Sequence, residues 1–129
     1  MKYLPDTHIF LWWITDNSKL SDHVRKVITN PDNEIFLSSA STWEMVIKSS
    51  IGKLSLPPSP DLFIRKQTAL NEIKILNVTI EHTFAVLKLP MIHKDPFDRI
   101  LIAQAITEDL ILITDDLLIK KYAVTVFEN

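Results

Sequence analysis

The run Leu110-Ile111-Leu112-Ile113 constrains the fold more than any other stretch of the chain. Successive aliphatic residues leave neither face of a strand polar, so a strand made of them has to be covered on both sides. That is the place of a central strand in a parallel sheet, with helices packed front and back. Thr114-Asp115-Asp116 ends the run with polar side chains.

The rest of the chain supplies a matching framework. Tyr3-Leu4 reads as a short strand ending at Pro5-Asp6, residues 34–38 as a second core strand, residues 73–76 as an edge strand and residues 124–126 as the last. Helical spacing of apolar residues fills the intervals. One helix covers residues 7–14 around Ile9, Phe10, Trp12 and Trp13. A second starts at Ser21-Asp22, turns Val24, Val27 and Ile28 inward and stops at Asn30-Pro31. A third opens at Ser41 and closes at Gly52, its C′ residue. Residues 61–70 form a fourth, with Leu62, Phe63 and Leu70 expected inside, and Thr79 caps a fifth that reaches Leu89-Pro90. Asp95 caps the sixth, Pro96 takes its first position, and Ile100, Leu101, Ala103 and Ala105 carry it inward. A brief helix over residues 117–121 precedes the final strand. Such alternation implies right-handed crossovers. The expectation is an α/β chain forming a single domain over 1–129, three layers α/β/α around a central, mostly parallel sheet.

Composition narrows the chemistry. A lone Gly cannot build the phosphate-cradling loops of nucleotide-binding motifs, which need several residues without side chains together. The absence of Cys excludes disulfides, thiolate nucleophiles and Cys-ligated zinc, and no nucleophile elbow is present. Net charge is −2, so any nucleic-acid site has to be a local patch. The start lacks a signal-peptide apolar region, and no apolar run approaches the ~18 residues of a membrane span. A cytoplasmic protein without membrane contact is expected.

Ligands of open parallel sheets bind beyond the carboxyl ends of the strands. Acidic residues gather there: Asp6 and Asp116 at strand ends, Glu44 and Asp98 in what read as first turns of helices. Converging carboxylates repel, and one pair ~4 Å apart costs about 4 kcal/mol at an effective dielectric near 20. No matching set of Arg or Lys accompanies them. A hard divalent cation, Mg²⁺ or Mn²⁺, resolves the conflict and suits oxygen ligands. Each acid also has a plainer reading. Ser41-x-x-Glu44 and Asp95-x-x-Asp98 match the capping box, and Asp6 and Asp116 suit strand-end caps. Asp95 and Asp115 are near neighbours that point elsewhere.

Weaker signals surround this set. His8, His23, His82 and His93 form no His-x-x-x-His pair, which argues against zinc. His93 lies beside the acids, as a substrate contact or a loop residue. Phe10, Trp12 and Trp13 read as core plus part of a protein interface. Lys48, Lys53, Lys94 and Arg99 are a solvated fringe or position phosphate.

Leu4-Pro5-Asp6-Thr7-His8, Ser41-x-Trp43-Glu44-x-x-x-Lys48, Gly52-Lys53-Leu54, His93-x-Asp95-Pro96-Phe97-Asp98-Arg99 and Thr114-x-Asp116, in this order, resemble the PIN-domain family. Within it, the toxin subunits of VapBC-type toxin–antitoxin pairs are the nearest likeness. The resemblance runs from residue 4 to about residue 124, and the Asp-Pro-Phe-Asp-Arg block with its following Leu-Ile-Ala-Gln-Ala is its most specific part. It implies a Mg²⁺- or Mn²⁺-dependent endoribonuclease on a three-layer fold. The family's acidic residues fall on Asp6, Glu44, Asp98 and Asp116, with Thr114 as a supporting hydroxyl. Asp6, Asp98 and Asp116 are then metal ligands, and Glu44 a ligand or water-orienting base. A homodimer, an RNA substrate and a small cognate antitoxin that wraps the toxin are implied as well. Pro5 departs from the family's aliphatic residue, and its missing N–H suggests a strand ending one residue early. The rival class is an inactive PIN-like protein-binding module whose acids only cap helices. A phosphoacceptor receiver domain fits poorly, since the middle strands end at Ser38 and Leu76 rather than at an aspartate.

Overall fold

In the computed structural model, which describes residues 1–129, β1 (Lys2–Pro5) is the middle strand of one sheet. β2 (Glu34–Ser38) and then β3 (Lys74–Leu76) lie to one side, β4 (Ile111–Thr114) and β5 (Val126–Glu128) to the other. Every pairing is parallel. The strands split their side chains by alternation. Tyr3, Ile35, Leu37 and Ile113 enter one apolar cluster with Ile9 and Phe10 of α1 (Thr7–Ile14), Val24 and Ile28 of α2 (Asp22–Thr29) and Met45 of α3 (Ser39–Ser50). Leu4 and Leu112 enter the other with Leu101, Ile102 and Ala105 of α6 (Pro96–Thr107). The three-layer α/β/α arrangement follows, and β4 is the doubly covered strand that its aliphatic run demands.

Some expected boundaries shift for local reasons. β1 continues through Pro5, which pairs with Ile113, instead of stopping early. Asp6 N–H donates to Ile113 O at 2.9 Å, so by alternation the missing N–H of Pro5 faces β2, where registered pairing ends at Tyr3–Ile35. The ladder to β4 is kept. α3 begins at Ser39 rather than Ser41, because Ser38 Oγ accepts from Ala40 N–H at 3.0 Å and caps it. Its end is as expected: Gly52, at φ 76°, donates to Ser49 O while Lys53 N–H reaches Lys48 O, a Schellman motif.

α4 (Pro60–Leu70) buries Ile64 and Thr68, which lie one turn apart, and leaves Leu62 and Leu70 exposed, contrary to the expected inward set. Leu54 and Leu56 of the preceding loop pack against the same cluster and occupy part of that surface. α5 (Ile80–Ala85) is short and continues as a 3₁₀ turn to Lys88; the expected helix over 117–121 is likewise one 3₁₀ turn. β5 starts at Val126 rather than 124. Phe10 is fully buried, and Trp12 and Trp13 pack partly buried against the core. The outward aromatics are instead Trp43 and Phe84. No helix is long and apolar enough to cross a membrane.

Candidate metal centre

The carboxyl ends of β1 and β4 abut, and each delivers an aspartate. Asp6 follows β1 directly and is nearly fully buried. Its Oδ1 accepts from Ile9 N–H at 2.9 Å, capping α1, and its Oδ2 accepts the Thr114 hydroxyl at 2.6 Å. The same Thr114 Oγ1 accepts from Asp116 N–H at 3.0 Å, so one hydroxyl ties together two acidic residues from opposite ends of the sequence. Asp116 Oδ1 accepts from Leu118 N–H at 2.9 Å, which sets the turn beyond β4. Asp115, one residue before, is exposed and touches only Asn129.

Asp98 arrives from α6. Asp95 caps this helix by accepting from Phe97 N–H at 2.8 Å, with Pro96 at its first position. The capping box read from Asp95-x-x-Asp98 does not form, since Asp95 N–H donates to His93 Nδ1 at 3.1 Å and leaves Asp98 without that bond. Its carboxyl pKa rises to about 7, first through burial and then through the charges of Asp95, Asp6 and Glu44. Burial also raises Asp6 above the ordinary carboxylate range, against the bonds from Thr114 and Ile9. A carboxylate that merely capped a helix would be lowered instead.

Glu44 stands in the second turn of α3, not the first, because that helix starts early. The Ser41 capping box is therefore absent. Glu44 is buried and pairs with Lys48 Nζ at 2.8 Å, one turn on. No Lys or Arg forms an ion pair with Asp6, Asp98 or Asp116. Lys53 and Lys94 are exposed. Arg99, expected in the basic fringe, is buried and turned away from solvent. Its guanidinium donates to the carbonyls of Pro90, His93, Val86 and Leu89 and to Tyr122 Oη, so it ties the loop before α6 together.

His93, which the sequence places beside the acids as a substrate contact or loop residue, lies among them. It is buried at the centre, with Nε2 2.7 Å from Asp116 Oδ2 and 3.1 Å from Asp98 Oδ2. The signal available was its place two residues before the cap, where a ring can reach back to the cap's own N–H. His93, Asp98 and Asp116 each bring one possible ligand atom within 4.8 Å of the others. No Lys or Arg neutralises Asp6, Asp98 or Asp116, and Asp6 and Asp98 are pushed toward protonation, a condition that a divalent cation relieves. Asp98 and Asp116 offer carboxylate oxygens to a divalent cation, and Asp6 lies outside this 4.8 Å group.

The family model described as PIN domain matches residues 3–124. The chain belongs to the PIN domain family. Solved structures share its fold. One is a chain of VapBC2 from Rickettsia felis bound to a promoter DNA fragment, with TM-score 0.76, 17% identity, and 99% of this chain and 98% of that chain covered. A chain of DNA-bound VapBC from Salmonella typhimurium gives 0.73 at 16% identity over 99% and 98%. A chain of a toxin–antitoxin complex from Klebsiella pneumoniae gives 0.64 at 21% identity over 97% and 95%. No curated protein sequence matches this PIN domain.

Proposed function

We propose that this PIN domain is a metal-dependent endoribonuclease and the toxin subunit of a VapBC-type pair, with Asp6, Asp98 and Asp116 holding Mg²⁺ or Mn²⁺. The observation that carries the reading is Asp98. It lies among Asp6, Glu44 and Asp116, no Lys or Arg pairs with it, and its carboxyl is raised to about 7. Capping does not account for it. A bound divalent cation supplies activated water and a polarised phosphodiester. The chain does the rest. Thr114 holds the Asp6 carboxylate and the Asp116 backbone side by side before substrate arrives. Glu44 is buried, charge-paired to Lys48, and serves as a further ligand or as the acceptor of the water's proton. Lys48 and Lys94 position the phosphate, a role that the inward-turned Arg99 does not share.

Protein partners suit the exposed apolar face. Trp43 and Val46 of α3 and Ile80 and Phe84 of α5 are all outward. A cavity of about 490 Å³ between these helices and the start of α6 is lined by Trp43, Val78, Phe97 and Ile100 among others. A small antitoxin is the proposed occupant of this surface, in keeping with the toxin–antitoxin complexes whose chains share the fold, and a second copy of the chain is proposed as a further partner. The test of the activity is cleavage of single-stranded RNA by purified protein with Mg²⁺ or Mn²⁺. Cleavage should disappear with chelator and in Asp98→Asn and Asp116→Asn, while both variants retain the wild-type circular dichroism. Persistent cleavage in excess chelator, or by folded Asp98→Asn, refutes the assignment. Calorimetry with Mn²⁺ separates it from a capping-only binding module, which would show no saturable site.

A further inference from the structure

We propose that His93 is a positioning residue of the acidic centre, locked as an Nε2–H donor that braces Asp98 against Asp116 and does not itself ligate the cation. The part concerning the cation rests on the metal-centre reading above. The lock is read from the two ring nitrogens. Nδ1 faces the backbone N–H of Asp95 at 3.1 Å. That group can only donate, so Nδ1 must accept and carries no proton. The ring proton then sits on Nε2, which lies 2.7 Å from Asp116 Oδ2 and 3.1 Å from Asp98 Oδ2. The N–H thus donates to Asp116 in the turn after β4, and the same nitrogen lies 3.1 Å from the Asp98 carboxylate in the first turn of α6.

The backbone around His93 is equally held. Its N–H donates to Tyr122 Oη at 2.7 Å, its carbonyl accepts from Arg99, and Tyr122 Oη itself donates to Pro90 O at 2.9 Å. Arg99 and Tyr122 therefore act on the centre through His93, which accounts for a buried guanidinium so close to the acids.

This arrangement has a consequence for ligation. Nε2 is within the 4.8 Å cluster of possible donor atoms, so its position alone would allow it to serve as a third ligand. To do so it would have to give up its proton to Nδ1 and break the bond from Asp95 N–H, which also belongs to the residue capping α6. The lock keeps the ligand set all oxygen and denies Zn²⁺, Ni²⁺ or Cu²⁺ the imidazole they favour. The brace offsets the repulsion of the two aspartates in the absence of a cation and holds them at the spacing a cation finds.

The test has a cation-free arm and a cation arm. Nitrogen-15 NMR of histidine-labelled, metal-free protein should show the His93 Nδ1 as unprotonated and Nε2 as protonated; the opposite tautomer overturns the proposal. With Mn²⁺ bound, electron spin-echo modulation should lack the coupling of a directly coordinated imidazole nitrogen, and its presence overturns the proposal. By calorimetry, His93→Ala should weaken Mn²⁺ binding about 10- to 100-fold, whereas His93→Gln, whose amide N–H stands near the position of Nε2–H, should stay within about threefold of wild type. Unchanged or tighter binding by folded His93→Ala refutes the brace. Should His93→Ala fail to fold, His93→Gln and the spectra of the unaltered protein decide. If wild-type protein binds no Mn²⁺ at all, the metal-centre reading falls, and the tautomer still decides whether the ring braces the aspartates.

Discussion

Asp98→Asn should stabilise the cation-free protein at pH 8 and leave it unchanged at pH 4. Burial, reinforced by Asp95, Asp6 and Glu44, raises the Asp98 carboxyl from 3.8 to about 7. Between those values the folded chain keeps a proton that the unfolded chain releases, so Asp98 costs stability progressively as pH rises from about 4 to 7, and the full loss persists above. At about 1.4 kcal/mol per pH unit the loss has a ceiling of ~4 kcal/mol. The side chain retains 17% of its exposure, and solvent screening reduces the ceiling to roughly 2 kcal/mol. For a chain of 129 residues that is a rise in Tm of roughly 6–8 °C at pH 8. The amide is isosteric and still offers His93 an acceptor. Thermal melts followed by circular dichroism in EDTA at both pH values measure the difference. Saturating Mn²⁺ reverses the order at pH 8, adding about 2.7 kcal/mol to wild type at one hundred times Kd. An equal difference between variant and wild type at both pH values, or a less stable variant at pH 8, would show that the uncompensated charge of Asp98 is not what the centre holds.

Other substitutions probe the framework. Thr114→Val removes the donor to Asp6 and the acceptor of Asp116 N–H, and urea unfolding should register a loss of about 2–3 kcal/mol. A loss below ~0.5 kcal/mol would mean that water replaces the hydroxyl. Arg99→Lys should cost about 2–4 kcal/mol in the same assay, because a compact ammonium cannot reach the carbonyls of Pro90, Val86 and Leu89 together. Gly52→Ala should cost about 1 kcal/mol through its left-handed backbone alone, since an added Cβ would meet nothing within 4 Å; Gly52→Asn should cost less.

The parts legible in the sequence are those written in local pattern. α1, α2 and β2 occupy the expected residues because caps, prolines and apolar spacing agree there. The start of α3 was misread because Ser38 and Ser41 are equally good caps by type, and only the end of β2 decides between them. The inward face of α4 was misread because leucine content outweighed phase: the buried stripe is Ile64 and Thr68, set by contact with the core. At the centre, parallel topology was enough to bring Asp6 and Asp116 to one edge. The inward turn of Arg99 and the burial of His93 depend on Tyr122 and on carbonyls of the 86–93 loop, which no spacing rule connects to them.

The meeting of β1 with β4 governs when the centre comes into being. β1 is the middle strand, yet one of its two neighbours is made of residues 111–114. A growing chain therefore holds its first strand half-paired while the intervening helices are made, and such long-range closure is slow. Asp6 has neither its Thr114 donor nor Asp116 beside it until that strand has emerged and docked. A ribosome-bound fragment ending before β4 can carry α1, α2 and α3 and still lack the centre. Whatever chemistry the acids perform is withheld from the nascent chain by topology, with no inhibitor required during synthesis.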